Sequence, residues 1–243
     1  MEIYLPIVAL AAYFLKGATG FGPALLIIPI GSLLIGSKSA IIVSAMLDVV
    51  AGGYLLYLDP IRSGRRFWLY IAAPMVLGAL IGSAFLEKLP DQIFTPLLGV
   101  IIFCIGIWLI FFRHRKATLL QTRLPSRGSA LDCGVGLLAG ISDGLFGISG
   151  PIIVFYLGHR FVKRLFRQMM IAIFLMTAAA RTTAYTLTGI IDLRLLTICL
   201  ISIPALFLGI YLGNRLFFKL SEIWFSRVAG ALLMAIAIRL IIW

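Results

Sequence analysis

Polar positions along the 243-residue chain come in short bursts between long apolar runs. Residues 67–86 and 94–112 carry no charge, and each run has the roughly 20 residues that cross a hydrocarbon core of about 30 Å. The same spacing predicts six ordinary membrane helices, at about 39–58, 67–86, 92–112, 168–189, 193–213 and 224–243. Two further apolar stretches, 4–36 and 130–158, are each broken in the middle by a cluster of glycines. Each is either one long interrupted crossing or a pair of short half-helices that enter and return on one side.

Composition agrees with a bilayer as solvent. The chain is 62% hydrophobic and 12% charged, whereas a soluble domain has about a quarter of its residues charged. No polar stretch is long enough for a soluble domain, because the longest, 113–129, is only a connector. The first residues, Met1-Glu2-Ile3-Tyr4, lack the basic start of a removable leader.

The chain repeats itself. Lys16-Gly17-Ala18-Thr19-Gly20-Phe21-Gly22-Pro23 is echoed by Asp143-Gly144-Leu145-Phe146-Gly147-Ile148-Ser149-Gly150-Pro151. An offset of 131 residues then aligns Tyr54 with Tyr185, Gly78 with Gly209, Gly82 with Gly213, Lys88-Leu89 with Lys219-Leu220 and Gly99 with Gly230. Apolar residues align by chance; glycines and a Lys-Leu pair in one register do not. Such duplications underlie many transporter folds.

The net charge of +12 invites a nucleic-acid reading, but in a membrane protein Lys and Arg collect in cytoplasmic loops. Their distribution decides between the two readings of the broken stretches. If the second one returns, Arg62, Arg65, Arg66, the connector, Arg160, Lys163, Arg164, Arg167, Arg215, Lys219 and Arg227 share one side. Only Lys38, Lys88 and Arg194 then lie on the other. If it crosses, the basic residues divide evenly. Each half therefore makes three crossings, an odd number, and the halves face opposite ways. The expected fold is all-α and integral to the membrane. It has two inverted repeats, each a re-entrant broken-helix hairpin plus three transmembrane helices. The first membrane repeat occupies 1–112, a basic cytoplasmic connector 113–129 and the second repeat 130–243.

The breaks carry the candidate chemistry. Gly17, Gly20 and Gly22, with Gly144, Gly147 and Gly150, supply turns free of side chains, and Pro23 and Pro151 suit the first turn of a following half-helix. Backbone amides at such helix starts attract anions. Lys16 and Asp143 flank the breaks at equivalent positions, Asp48 lies mid-way along 39–58, and Arg181 lies inside 168–189. Intramembrane ionisable residues are functional candidates, since burial without a partner is costly. A structural Asp48–Arg181 ion pair, and a Lys16 that reaches for the interface, are the plainer alternatives. Gly20, Gly22, Pro23, Gly147, Ser149, Gly150, Pro151, Arg181 and Lys16 are the expected substrate-binding residues, with Asp48 and Asp143 as candidates for proton coupling. Thr19, Ser44, Ser142, Thr177, Thr182, Thr183 and Tyr185 add hydroxyls at similar depth.

Enzyme motifs are missing: there is no phosphate loop, no His-Glu-x-x-His and no Gly-x-Ser-x-Gly. His114 and His159 fall in basic loops, and Cys104, Cys133 and Cys199 are isolated in or beside apolar segments, which predicts buried small residues. No cofactor, metal or nucleic acid is expected. The sequence does not fix the oligomeric state, and a homodimer is compatible with it.

The Gly17-Ala18-Thr19-Gly20-Phe21-Gly22 cluster followed by Pro29, paired with Gly144 to Pro151 in a second half, resembles the TauE/SafE sulfite-exporter family over essentially the whole chain. Pro23 stands where many members of that family place another glycine. The resemblance implies a multi-pass carrier of the bacterial inner membrane that moves sulfite, sulfoacetate or related organosulfonates, commonly outward. An anion channel, or a carrier for another small organic anion, is the competing reading.

Overall fold

The computed structural model describes residues 4–20, 22–60, 65–86, 88–111, 129–157, 161, 163–215 and 222–242. The connector, with His114, and His159 lie outside the described residues, as do parts of the other basic loops.

The protein is all-helical among those residues. In the first half α1 (Leu5–Thr19) and α2 (Ala24–Ile35) precede α3 (Ser37–Leu58), α4 (Arg65–Leu86) and α5 (Asp91–Phe111). The second half repeats the series as α6 (Ala130–Phe146), α7 (Gly150–Leu157), α8 (Lys163–Leu187), α9 (Leu193–Arg215) and α10 (Glu222–Ile242). Five helices are long and apolar enough to cross a membrane: α3, most of α4, most of α5, α8 and α9. All six ordinary helices predicted from the apolar runs are present. The largest shift is in α8, which starts at Lys163 rather than 168 because Leu165, Met169 and Met170 turn an apolar side inward beneath the basic residues.

Both broken stretches double back. Gly31 of α2 packs on Leu5 at the start of α1, and the Tyr156 hydroxyl of α7 donates to Asp132 in the first turn of α6 at 2.7 Å. The far end of each hairpin thus lies beside its beginning. At about 1.5 Å per residue α1 and α2 span only about 22 and 18 Å, each short of a bilayer core. The reversals fall at Gly20 (φ +84°) and Gly22 (φ +99°), and at Gly147 (φ +68°). These are backbone states that only glycine adopts cheaply.

Equivalent helices pack in equivalent ways. Gly78 and Gly82 of α4 press on the backbone of α6, and Gly209 and Gly213 of α9 press on the backbone of α1. These contacts are so close that a β-carbon at any of the four would meet main-chain atoms, as small residues permit in membranes. Ile71, Met75 and Ala79 lie against Gly136, Gly140 and Gly144 in that order, so α4 and α6 run parallel. So do α1 and α9, where Leu10 and Phe14 flank Gly209 and Phe14 and Ala18 flank Gly213. The helices that match across the duplication run the other way. Gly99 meets α10 near Ala237–Ile241 and Gly106 meets it near Gly230–Met234, so α5 and α10 are antiparallel. The same holds for α3 and α8, where Gly52 contacts Leu175 and Asp59 contacts Gln168. Of the three cysteines only Cys199 is buried; Cys104 is exposed, as a side chain facing lipid would be.

Candidate functional site

Both hairpin turns open onto one cavity. It is lined by Lys16, Gly22–Leu25 and Asp48 from the first half, and by Asp143, Gly147–Gly150, Phe174, Thr177 and Arg181 from the second. The start of α2, at Pro23 and Ala24, and the start of α7, at Gly150, therefore face the same space. Pro23 is the N-cap of α2, and Pro151 is the second residue of α7. Their missing N–H groups fall where a helix has no internal acceptor for them. Gly17 and Gly144, expected in the turns, sit inside α1 and α6 and serve close packing against α9 and α4 instead.

Lys16, Asp48, Asp143 and Arg181 form two ion pairs. Lys16, in the last turn of α1 and 1% exposed, places Nζ 2.6 Å from Asp48 Oδ1. The Tyr13 hydroxyl donates to the same oxygen at 3.2 Å. In the second half Arg181, 2% exposed, brings Nε to 3.3 Å from Asp143 Oδ2 and donates from Nη1 to the Asp143 carbonyl at 3.0 Å. Ser149 donates to Asp143 Oδ1 at 2.7 Å. The Asp48–Arg181 pairing is not formed: each residue takes a partner on the hairpin of its own half. Lys16 does not reach for an interface.

This arrangement changes the expected electrostatics. Neither cation is free, because each comes with a carboxylate, and the cavity holds two positive and two negative groups. The pair at Asp143 is also incompletely bonded. Asp143 Oδ2 and Arg181 Nε are buried and close, yet neither has an aligned hydrogen-bond partner, and Thr182 Oγ1 is buried without one. Orphaned polar atoms beside a cavity mark a place that gains from a polar guest.

Among the hydroxyls, Ser149 and Thr177 line the cavity, and Ser142 braces the second turn by donating to the Ile148 carbonyl at 2.8 Å. Tyr185 donates to the Gly144 carbonyl at 3.2 Å, while Thr183 faces outward. Ser44 is buried in α3 outside the lining, and the side chain of Thr19 lies outside the described residues. Among the described residues no cluster of His, Cys, Asp and Glu could hold a metal.

The model of one protein family, sulfite exporter TauE/SafE, matches residues 5–240. The chain belongs to the TauE/SafE family. Among curated proteins it is similar to the probable sulfite/organosulfonate exporter TauE of Cupriavidus necator, at 24% identity over 99% of this chain and 96% of that protein. No solved structure matches.

Within this TauE/SafE chain, sequence reasoning missed Tyr13 and Phe174 at the site and the role of Arg167. Arg167 reads in the sequence as one more basic loop residue, but it lies in α8, 6% exposed. A signal was present: Arg167, Phe174 and Arg181 are spaced by seven, which puts all three on one face of a helix.

Proposed function

We propose that the protein is a secondary transporter of small sulfur-containing anions, sulfite, sulfoacetate or related organosulfonates, that exports them across the bacterial inner membrane by alternating access. The observation that carries the reading is the convergence of two glycine turns, two half-helix starts and two ion pairs on one cavity between the halves. Family membership and the name of the Cupriavidus relative favour the sulfur-anion class. The antiparallel packing of α3 on α8 and of α5 on α10 favours two repeats in opposite orientation. A two-fold axis lying in the membrane plane reverses a helix, whereas one along the normal does not.

In this reading the backbone N–H groups of Ala24, Ser149 and Gly150 receive the anion, and Arg181 and Lys16 turn toward it from their carboxylates. An anion added to a cavity of balanced charge leaves one buried charge uncompensated, which is costly. Protonation of Asp143 or Asp48 restores the balance, so a proton accompanies the substrate. A channel is the competing reading, and its mark is ohmic current without saturation.

Thermal melting of the detergent-purified protein with sulfite, sulfate, thiosulfate, sulfoacetate and taurine tests the site. A ligand at one hundred times its Kd adds about 2.7 kcal/mol to stability. A rise with sulfite or a sulfonate, together with saturable flux in proteoliposomes, is expected. No response to any of these anions and no flux would refute the reading.

A further inference from the structure

Each ion pair of the cavity stays within one half of the molecule. A second cluster, centred on the buried Arg167, joins the halves. Arg167, at the start of α8, donates from Nη2 to the Gly17 carbonyl of α1 at 3.0 Å and to Asn214 Oδ1 of α9 at 2.7 Å. Its Nη1 lies 3.8 Å from Asp59 Oδ2, just past the end of α3. Gln168 donates to Asp59 Oδ1 at 2.7 Å, and Arg164 reaches the same oxygen at 3.7 Å. One helix of the second half, α8, therefore grips the ends of two helices of the first, α1 and α3, while Asn214 of α9 holds Arg167 from within its own half.

We propose that Arg167, with Asp59 and Asn214, is a latch that positions the first hairpin turn and closes the cavity on the side where α3 ends and α8 begins. Gly17 lies in the last turn of α1, where carbonyls lack helical partners and the dipole is negative, so a guanidinium is suited to hold that end. Gly20 packs directly on Arg167: a β-carbon there would stand 2.7 Å from Arg167 Cγ and 3.0 Å from its carbonyl oxygen. Gly22–Leu25, only a few residues on, line the cavity. The hairpin turn is thus placed by a residue of the other half.

Motion of one half against the other leaves Lys16–Asp48, Asp143–Arg181 and Arg167–Asn214 intact and breaks the contacts of Arg167 with Gly17 and Asp59. The latch rests on the alternating-access reading for its consequence, yet its geometry is testable without substrate. With Cys104, Cys133 and Cys199 replaced, Thr177→Cys puts one thiol in the cavity. A membrane-impermeant maleimide is then applied from either side of oriented vesicles.

Arg167→Ala raises the labelling rate from the latch side roughly tenfold, the effect of a coupling of about 1.4 kcal/mol, without raising it from the opposite side. Arg167→Lys falls between, because an ammonium cannot fork to Gly17 and Asn214 as a guanidinium does. Asp59→Asn and Asn214→Ala, milder changes at less buried positions, move the rate in the same direction and stand in should Arg167→Ala fail to fold. Equal increases from both sides would mean general loosening and overturn the latch, as would unchanged labelling in all the variants that fold. Absence of anion flux in the unaltered protein, with the one-sided labelling change present in the variants, would sink the transport reading and leave the latch standing.

Discussion

Lys16 and Asp143 occupy the last turns of α1 and α6, at matching positions of the two hairpins, with opposite charge. At a helix C-terminus the dipole favours the lysine and opposes the aspartate. The first hairpin thus carries a charge that suits its own backbone and answers it with Asp48 and Tyr13. The second carries a charge that its backbone opposes, so Arg181 must serve both the carboxylate and the helix end. Support for the turns differs in the same sense. Ser142 and Ser149 brace the second turn from within its own hairpin, whereas the first depends on Arg167 from the other half. The two hairpins share one pattern, and each holds its turn by different means. The second pair is the incompletely bonded one, and in the proposed function it is the one that exchanges partners with a substrate.

The largest test of this contrast is Arg181→Met, which leaves Asp143 buried with Ser149 as its only side-chain donor among the described residues. It should cost about 3–5 kcal/mol in thermal or denaturant unfolding, while Arg181→Met combined with Asp143→Leu should recover most of that. Anion-dependent stabilisation should be absent from both. If the double replacement keeps it, the second pair is not the binding element.

Next in size, Gly20→Ala forces a side chain at positive φ against Arg167 and should cost about 2–3 kcal/mol. Gly22→Ala meets only Leu25 at 3.9 Å and should cost about 1 kcal/mol. Equal losses would show that the first turn does not lean on Arg167. Tyr156→Phe removes the hydroxyl that ties the base of the second hairpin to Asp132 and should cost about 1.5 kcal/mol in the same unfolding assay. Ser142→Ala, like Gly22→Ala, should cost about 1 kcal/mol, since the Ile148 carbonyl loses one neutral donor. A loss of 3 kcal/mol there would mean that the second turn hangs on this brace.

How much of this was legible can be judged residue by residue. The glycines at 20, 22 and 147 announced turns because no other residue accepts positive φ at low cost, and the structure turns there. Gly17 and Gly144 looked identical in the sequence but are packing residues, since a glycine needed for space and one needed for dihedral freedom leave the same letter. Lys16, Asp48, Asp143 and Arg181 were visible as charges in apolar runs, because lipid makes such charges conspicuous. Their partners were not visible: a helix can offer the same residue to several neighbours, and distances between helices are not written along the chain. Arg167 was hidden for a further reason, as the basic loops around it supplied a sufficient account of its charge.

The sequence by itself determined the helical, membrane-embedded class, the positions of the six ordinary helices and the two interrupted stretches. Hydrocarbon leaves the backbone no partner but itself, and that constraint acts locally along the chain. Tertiary structure decided that both interrupted stretches fold back as hairpins, that Lys16 meets Asp48 while Asp143 meets Arg181, and that Arg167 joins the halves. These are choices among contacts similar in chemistry, settled only when glycine-lined faces pack closely enough to fix which side chains lie within reach.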